Sequence, residues 1–305
     1  MRELHIFDIG SFVHAGAVNT HSSIDDEPIK EADGYRSVRY MTGGIALILN
    51  ALAGIPSTTT ADCVFCADRN PTIKKLMIPG YKGNRKHPIG IEKQKKIIEI
   101  VLENIGYTVL YKDGYEADDF IYSVVKKFKD SYDHMYIYTG DSDLYFLVSD
   151  TVTIRPSSSR AKLVTRDNYS DITVGGVHVP YNAITYNKIL GGDKSDCIPP
   201  LPDDCIQALA GLTTNELFYP NMGDRDFLHT MVKQICPAAA QQVLNVFPLD
   251  VDIPEELEQR QDATLLKEWG GLVKANRYKR LEEPSSDSVK KAIEEMRYEH
   301  LYDED

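Results

Sequence analysis

The sequence predicts an α/β fold with a mainly parallel central sheet flanked by helices, followed by a smaller helical region. In the first half of the chain, short apolar runs alternate with longer segments in which apolar residues recur at helical spacing. This alternation is typical of parallel strands joined by crossover helices. From about residue 180 the pattern becomes helical and is broken by prolines. We therefore divide the chain into an α/β core (1–178), a helical region (179–250) and an acidic helical tail (251–305).

Five short apolar runs are predicted as strands, and three longer periodic segments are predicted as helices. The strands are 4–7, 63–66, 107–111, 135–138 and 152–154. The helices are 38–52, 91–105 and 116–128. Gly54 and Gly106 lie just after the first two helices, where glycine commonly ends a helix.

The composition argues against several classes of protein. No apolar run approaches the roughly 20 residues that cross a bilayer, and the N-terminus lacks the basic flank and cleavage site of a signal peptide. The five cysteines are an odd number scattered over 305 residues, which argues against a disulfide framework and for a reducing compartment. We expect a cytoplasmic monomer without membrane attachment.

The formal net charge of −12 hides an uneven distribution of charge along the chain. Residues 69–96 contain nine Lys or Arg and one acid, a local charge of +8. A charged stretch is most often a solvated surface. Because this one lies in an otherwise strongly acidic chain, it also indicates a local contact with a polyanion.

Carboxylates follow three of the predicted strands. Asp8 directly follows the first strand, Asp68 follows the second after one residue, and Asp141 and Asp143 follow the fourth. In an open parallel sheet, the ends where strands finish form the ligand crevice. These side chains are therefore expected at one edge of the sheet.

Two further acidic groups extend this set. Glu116, Asp118 and Asp119 open a predicted helix, and Asp193 and Asp196 lie in a glycine-containing loop. Taken alone, each acid has an ordinary explanation as a turn residue or a helix cap. Nine carboxylates in one crevice would repel one another strongly, and divalent cations are the natural remedy. All-oxygen ligation fits Mg²⁺ or Mn²⁺, and two ions about 4 Å apart form the arrangement used for phosphodiester hydrolysis.

Other chemistries lack their motifs. The sequence has no GxxxxGK[ST] loop, no GxSxG nucleophile elbow and no HExxH zinc motif. Cys63 and Cys66 lie on an apolar strand without partner ligands, which favours core thiols over zinc. A phosphatase with a DxD nucleophile is excluded, because position 10 is glycine.

Taken together, the motifs resemble those of the 5′-nuclease family. This family includes flap endonucleases, the 5′-nuclease domain of bacterial DNA polymerase I, and the 5′ exonucleases and RNase H of bacteriophages. The motifs are FD at 7–8, AD at 67–68, PGYKGNR at 79–85, YEADD at 115–119, TGDSDL at 139–144 and GDKSD at 192–196. They occur in the family's order and approximate spacing from residue 8 to about residue 199.

The resemblance implies roles for the acids and for the basic segment. The metal ligands it implies, for two Mg²⁺ ions that Mn²⁺ can replace, are Asp8, Asp68, Glu116, Asp118, Asp119, Asp141, Asp143, Asp193 and Asp196, with Asp119 in a supporting position. It implies that Lys82 and Arg85 contact the scissile phosphate and that a terminal base stacks on Tyr81. The nucleic-acid-binding residues it implies are Lys74, Lys75, Tyr81, Lys82, Arg85, Lys86 and Lys93, within a helical arch at about 70–95. We expect Lys93 and Lys95 to lie on a solvated helix.

The sequence departs from the family after Asp196. The resemblance would continue into a glycine-rich hairpin that grips duplex backbone and often holds potassium, but residues 197–205 contain prolines, Asp203 and Asp204 instead. Proline has no N–H to offer a phosphate. We therefore expect a degenerate helix-hairpin-helix and a weaker grip on duplex.

The implied function is a structure-specific 5′ nuclease that acts on DNA with 5′ ends or flaps, or on RNA–DNA hybrids. Replication, repair and primer removal in a bacterial or phage-infected cell are its expected settings. A PIN-type ribonuclease and a catalytically weak structure-specific DNA-binding module are the alternatives. A PIN domain would be shorter and lack the basic segment, and a pure binder gains nothing from acids clustered beside phosphate.

Overall fold

The computed structural model describes residues 2–19, 29–30, 36–37, 43–55, 60–85, 89–157, 162–168, 173–174, 177–178, 181–210, 212, 223–257 and 264–269. In chain order its elements are β1 (Arg2–Asp8), α1 (Ile9–Asn19), β2 (Ile29–Lys30), β3 (Arg36–Ser37), α2 (Gly43–Ala53), β4 (Thr60–Cys66), α3 (Thr72–Met77), α4 (Ile89–Ile105), β5 (Thr108–Leu110), α5 (Ala117–Phe128), β6 (His134–Tyr138), a 3₁₀ helix (Ser142–Leu147), β7 (Val152–Arg155), β8 (Thr173–Val174), β9 (Val177–His178), α6 (Tyr181–Gly191), α7 (Asp203–Ala210), α8 (Arg225–Ile235) and α9 (Pro237–Val246). Residues 264–269 are also helical.

A five-stranded parallel sheet forms the centre of the fold, in the order β5-β4-β1-β6-β7. The predicted α/β class and all five predicted strands are confirmed. Asp8 pairs with Cys66 of β4, and Phe7 pairs with Tyr138 of β6. The three central strands therefore finish side by side, and the residues that follow them meet at one edge.

Apolar side chains cover both faces of this sheet. On one face, Phe7 and Phe65 pack with residues of α1, α2 and α4, such as Phe12 and Ile98. On the other face, strand residues such as Ile6 pack with the apolar side of α5. Burial on both faces explains why the strands read as continuous apolar runs.

One helical prediction needs adjustment, and one helix was not predicted. The helix predicted at 38–52 begins at Gly43 within the described residues, since 38–42 lie outside them. Helix α1, which starts directly after Asp8, was not predicted. Its glycines and valines have weak helix propensity, so packing of Phe12 and Val13 in the core stabilises it instead.

Helices α6 to α9 surround a separate apolar cluster that includes Tyr186, Leu228 and Phe247. Phe146 of the 3₁₀ helix joins this cluster, with its ring centre 4.9 Å from that of Phe247. Asp203 and Asp204 occupy the first turn of α7, where a helix favours acids. None of the described helices has the length and apolar character that crossing a bilayer requires.

A disulfide joins Cys205 of α7 to Cys236, which separates α8 from α9. Their Cα atoms lie 5.7 Å apart, within the range usual for such bridges. The sequence argued against a disulfide framework, and spacing alone could not reveal this single pair, because the two cysteines are 31 residues apart. Cys63 and Cys66 are buried in β4 as predicted, and burial raises the pKa of Cys63 to about 12.

Reduction of this bridge should lower the melting temperature of the protein. Closing a loop of this length contributes about 3–4 kcal/mol in the chain-entropy account of disulfides. Thermal melts of oxidised and reduced protein measure the difference. The double variant Cys205→Ser/Cys236→Ser should melt like the reduced wild type, and the two wild-type curves would coincide if the bridge stabilised nothing.

Candidate active site

The carboxylates predicted at the strand ends lie at the carboxyl edge of the sheet. Asp8 ends β1, Asp68 comes two residues after β4, and Asp141 caps the 3₁₀ helix that follows β6. Burial, and then the negative charge of Asp68, raise the pKa of Asp8 to about 6. The negative charge of Asp8 is therefore poorly compensated at this edge.

Asp8 is held by a hydrogen-bond network that the sequence analysis missed. The Ser11 amide donates to its Oδ1 at 3.1 Å, and the hydroxyls of Ser11 and Thr139 donate to its Oδ2 at 2.7 and 2.8 Å. The Gly140 amide in turn donates to Ser11 Oγ at 2.9 Å. Ser11 and Thr139 thus tie the end of β1 to the end of β6. The sequence signal was a serine three residues after an aspartate that opens a helix, which is N-cap spacing.

The N-terminus of α5 contributes acids with different environments. Glu116 and Asp119 form a reciprocal capping box. Asp119 is fully buried, with its Oδ2 accepting from the Glu116 amide at 2.9 Å and its Oδ1 from the Leu249 amide at 2.6 Å. Both of its oxygens are occupied by backbone donors. In this structure Asp119 stabilises the helix start, and the supporting position implied for it at the metal site stays a prediction.

Asp118 is the least compensated acid of the cluster. Burial raises its pKa well above the usual range, and the nearby charges of Asp141 and Asp8 raise it further. Among the described residues, no group donates a hydrogen bond to its carboxylate. Such an arrangement stores electrostatic repulsion that a bound cation would relieve.

A second acidic group surrounds the loop between α6 and α7. The Lys188 ammonium donates to Asp143 and to Asp193, at 2.5 Å in each case. Burial raises the pKa of Asp193, but the hydrogen bonds from Lys188 and Ser195 outweigh it and bring the value to about 2. Burial and the charge of Asp141 raise the pKa of Asp143 to about 6. Lys188 was not predicted, because it lies in a helix outside every motif.

Gly192 makes this loop possible. Its φ is +71°, and a Cβ there would lie 2.4 Å from the carbonyl oxygen of Ile198. The close approach allows Asp193 and Ile198 to exchange backbone hydrogen bonds at 2.8 and 2.9 Å. The tight turn places Asp193 and Asp196 on the same loop facing the basic segment.

Basic side chains from the segment 69–96 lie among these acids. Lys95 Nζ lies 3.1 Å from Asp68, Lys82 Nζ lies 2.5 Å from Glu116, and an Arg85 nitrogen lies 2.5 Å from Asp196. The expectation of a solvated Lys95 is therefore wrong. Lys82 also has a left-handed backbone, with φ of +51°, which is strained for a residue with a side chain.

Two implied nucleic-acid contacts are buried instead. Lys74 is 5% exposed and pairs with Glu116 at 3.3 Å and with Asp119 at 3.6 Å. Tyr81 is 2% exposed, and its hydroxyl donates to acids of the site. In this conformation neither side chain is accessible to a nucleic acid, and the contact role implied for Lys74 and the stacking role implied for Tyr81 stay predictions.

The structure describes only some of the other residues that are predicted to contact nucleic acid. Lys75 is exposed and donates to Asn70 at 2.6 Å. Lys86 lies outside the described residues, and of Lys93 only the backbone, within α4, is described. Of the segment at about 70–95 that is predicted to form an arch, the described residues comprise α3, the turn at 78–85 and α4 from Ile89.

The donor set suits a hard divalent cation. Because Gly10 has no side chain, there is space beside two carboxylates. A Cβ at this position would lie 3.0 Å from Asp68 Oδ2 and 3.3 Å from Asp8 Oδ1. Within the described part of the chain, no three ligand side chains are already grouped closely enough to hold an ion. Lys82, Lys95 and Lys188 pair with acids of this edge. Carboxylate oxygens are the ligands that hard divalent cations prefer, so the residue types fit the ions that the sequence predicted.

The fold and the acidic edge together define a 5′-nuclease type of protein. The chain belongs to the 5′-3′ exonuclease family: residues 20–172, half of the chain, match the model of the 5′-3′ exonuclease N-terminal resolvase-like domain. The predicted resemblance is confirmed.

Individual relatives agree with this assignment. A 5′-3′ exonuclease of Mycoplasma genitalium is 28% identical over 210 residues, which cover 65% of this chain and 69% of that protein. DNA polymerase I of Treponema pallidum is 38% identical over 85 residues, 28% of this chain but 8% of the polymerase. The chain thus matches a small part of that enzyme. A flap endonuclease of bacteriophage T5, in a pseudo-enzyme–product complex with DNA and metal ions, has a similar fold, with a TM-score of 0.51, 16% identity and coverage of 97% and 98% of the two chains.

Proposed function

We propose that this chain is a divalent-metal-dependent structure-specific 5′ nuclease, a 5′-3′ exonuclease and flap endonuclease that hydrolyses phosphodiester bonds. The observation that carries the proposal is the convergence of Asp8, Asp68, Asp118 and Asp141 on one edge of the sheet, opposite basic side chains. The family match favours this activity over a PIN-type ribonuclease. Replication, repair and RNA-primer removal remain the proposed settings, in a cytoplasmic monomer.

The acids fall into two groups that would hold the ions. Asp8, Asp68, Glu116 and Asp118 form the first group. Asp141, Asp143, Asp193 and Asp196 form the second. Mg²⁺ is the proposed ion, with Mn²⁺ able to replace it, because hard oxygen ligands dominate both groups. Bound there, the ions would supply activation of water and stabilisation of the leaving oxygen.

The residues around the acids orient them and supply positive charge beside them. Ser11 and Thr139 donate to Asp8, which favours its ionised form and fixes its orientation. Lys82 and Arg85 are charged donors beside Glu116 and Asp196, so the same side chains can turn to the oxygens of a substrate phosphate. A preorganised cation at that position stabilises the charge that develops in the transition state.

The proposed substrate is DNA with a 5′ end or flap, and an RNA–DNA hybrid is the second proposed substrate. A flap endonuclease of similar fold was captured with DNA, which supports DNA as the partner. The unusual loop before α7 has prolines and no glycine hairpin, so the proposed preference is for a free 5′ strand over intact duplex.

Removal of divalent ions should abolish hydrolysis. We expect cleavage of 5′-flap and RNA-primed substrates in Mg²⁺ or Mn²⁺, less cleavage of a blunt duplex, and none in EDTA. Gel analysis of end-labelled substrates measures the cleavage of each of them in each of the three ionic conditions. Full activity in EDTA, or cleavage of single-stranded RNA alone, would overturn the proposal.

A further inference from the structure

Tyr81 lies where the two acidic groups meet. Its hydroxyl is 2.8 Å from Glu116 Oε2, at the start of α5, and 3.2 Å from Asp196 Oδ2, in the loop after α6. Glu116 belongs to the first group of acids and Asp196 to the second. A single neutral donor therefore contacts one carboxylate from each group.

The ring of Tyr81 is fixed by its surroundings. It packs with Ile78 and Ile198 in a small apolar cluster. The backbone beside it is also attached to the acidic loop, since the Lys82 amide donates to the Asp196 carbonyl at 3.2 Å. The Asn84 side chain donates to the Lys194 carbonyl at 3.3 Å. The hydroxyl is thus presented to the acids by a docked segment and not by a freely rotating side chain.

The two carboxylates use their oxygens in the same way. Glu116 directs Oε2 to Tyr81 and Oε1 to Lys82, while Asp196 directs Oδ2 to Tyr81 and Oδ1 to Arg85. Lys74 also lies 3.3 Å from Glu116 Oε2. When Lys82 and Arg85 turn toward a phosphate, Oε1 and Oδ1 become available while the other oxygens stay held.

We propose that Tyr81 is a positioning residue whose hydroxyl holds Glu116 and Asp196 in the orientation that cation binding requires. The inference rests on the proposed function for the identity of the ligands, but it concerns a role different from base stacking. A neutral phenol suits this task because it orients carboxylates without cancelling their charge. Loss of an outer-sphere partner of this kind typically weakens metal binding by about 10–100-fold.

The test compares Tyr81→Phe with Tyr81→Leu. The phenylalanine variant keeps an aromatic ring and loses only the hydroxyl. Mn²⁺ binding to DNA-free protein is measured by calorimetry. We expect Tyr81→Phe to weaken Mn²⁺ binding at least tenfold, with a melting temperature in EDTA close to that of the wild type. In single-turnover cleavage, the Mn²⁺ concentration for half-maximal rate should rise while the rate at saturating Mn²⁺ is largely restored.

Tyr111→Phe is the matched control. Tyr111 is exposed, and its hydroxyl donates at 3.1 Å to the carboxylate of Glu103, which is not one of the proposed ligands. It should leave Mn²⁺ binding unchanged. A stacking role predicts a different result, in which Tyr81→Phe matches the wild type and only Tyr81→Leu loses DNA affinity.

The outcomes separate the inference from the proposed function. Equal Mn²⁺ affinity in wild type and Tyr81→Phe, in a protein that is still an active nuclease, overturns the positioning role alone. Weaker Mn²⁺ binding by Tyr81→Phe, in a protein that cleaves none of the DNA substrates, supports the positioning role and overturns the nuclease. A wild type that binds no Mn²⁺ overturns both.

Discussion

Asp118→Asn is expected to abolish hydrolysis and at the same time to raise the melting temperature of the metal-free protein. The carboxylate of Asp118 is a proposed ligand, so its loss should lower turnover by more than the roughly 10–100-fold that an outer-sphere partner costs. The melting temperature of the metal-free protein should instead rise. Burial, with the charges of Asp141 and Asp8, raises the pKa of Asp118 well above its usual range.

The sign of this effect depends on pH. A carboxyl whose pKa is higher in the folded than in the unfolded state binds more protons when folded, so its contribution to stability falls as pH rises. The gain in melting temperature of Asp118→Asn over the wild type should therefore be small near pH 4 and larger near pH 8. In a domain of about 200 residues, each 1 kcal/mol corresponds to about 2–4 °C.

Melts in EDTA across this pH range and turnover in Mg²⁺ measure the two effects. Asp130→Asn is the control, because Asp130 is exposed beyond the far end of α5. It should change neither quantity. A destabilised Asp118→Asn protein would show that the acidic edge is not under repulsion, and an active one would remove Asp118 from the site.

Much of the fold could be predicted because its signals are local. The five strands are buried on both faces, so each appears as an apolar run, and α5 has a clear apolar side with Phe120 and Val124. Helix α1 could not be predicted in this way. Its residues have weak helical preference, and the contacts that stabilise it come from α2 and α4, which lie far away in the sequence.

The positions of the acids followed from the sheet, but their partners did not. The rule that strand ends share an edge places Asp8, Asp68 and Asp141 together without further knowledge. It says nothing of Lys188, which approaches Asp143 from a helix 45 residues later. It also does not indicate that Tyr81 and Lys74 turn inward. A basic stretch looks the same in sequence whether its side chains face solvent or neutralise buried acids.

The ion pairs inside the site indicate that binding of metal ions and binding of DNA are coupled. Lys82, Arg85 and Lys188 contact acids that are assigned to ion binding. In the metal-free protein their positive charges therefore partly replace those of the metal ions. The same groups are those that a substrate phosphate would attract. Binding of ions and of DNA should therefore support each other, because each frees partners for the other.

Lys82→Ala is the variant that separates these two roles. Burial lowers the pKa of Lys82, but the nearby charges of Glu116 and Asp196 outweigh it, so the side chain remains a cation at neutral pH. Loss of a preorganised charge at the reacting group typically costs about 100–1,000-fold in rate, and we expect the single-turnover rate in saturating Mg²⁺ to fall by that amount. Mn²⁺ affinity without DNA should instead rise, since Lys82 Nζ, which lies 2.5 Å from Glu116 Oε1 in the wild type, no longer competes for this oxygen.

Rapid-quench kinetics measure the single-turnover rate, and calorimetry measures the Mn²⁺ affinity. The control is Lys129→Ala, because Lys129 is exposed at the end of α5. An unchanged single-turnover rate, or weaker Mn²⁺ binding, would show that Lys82 supports the ions and does not act on the phosphate.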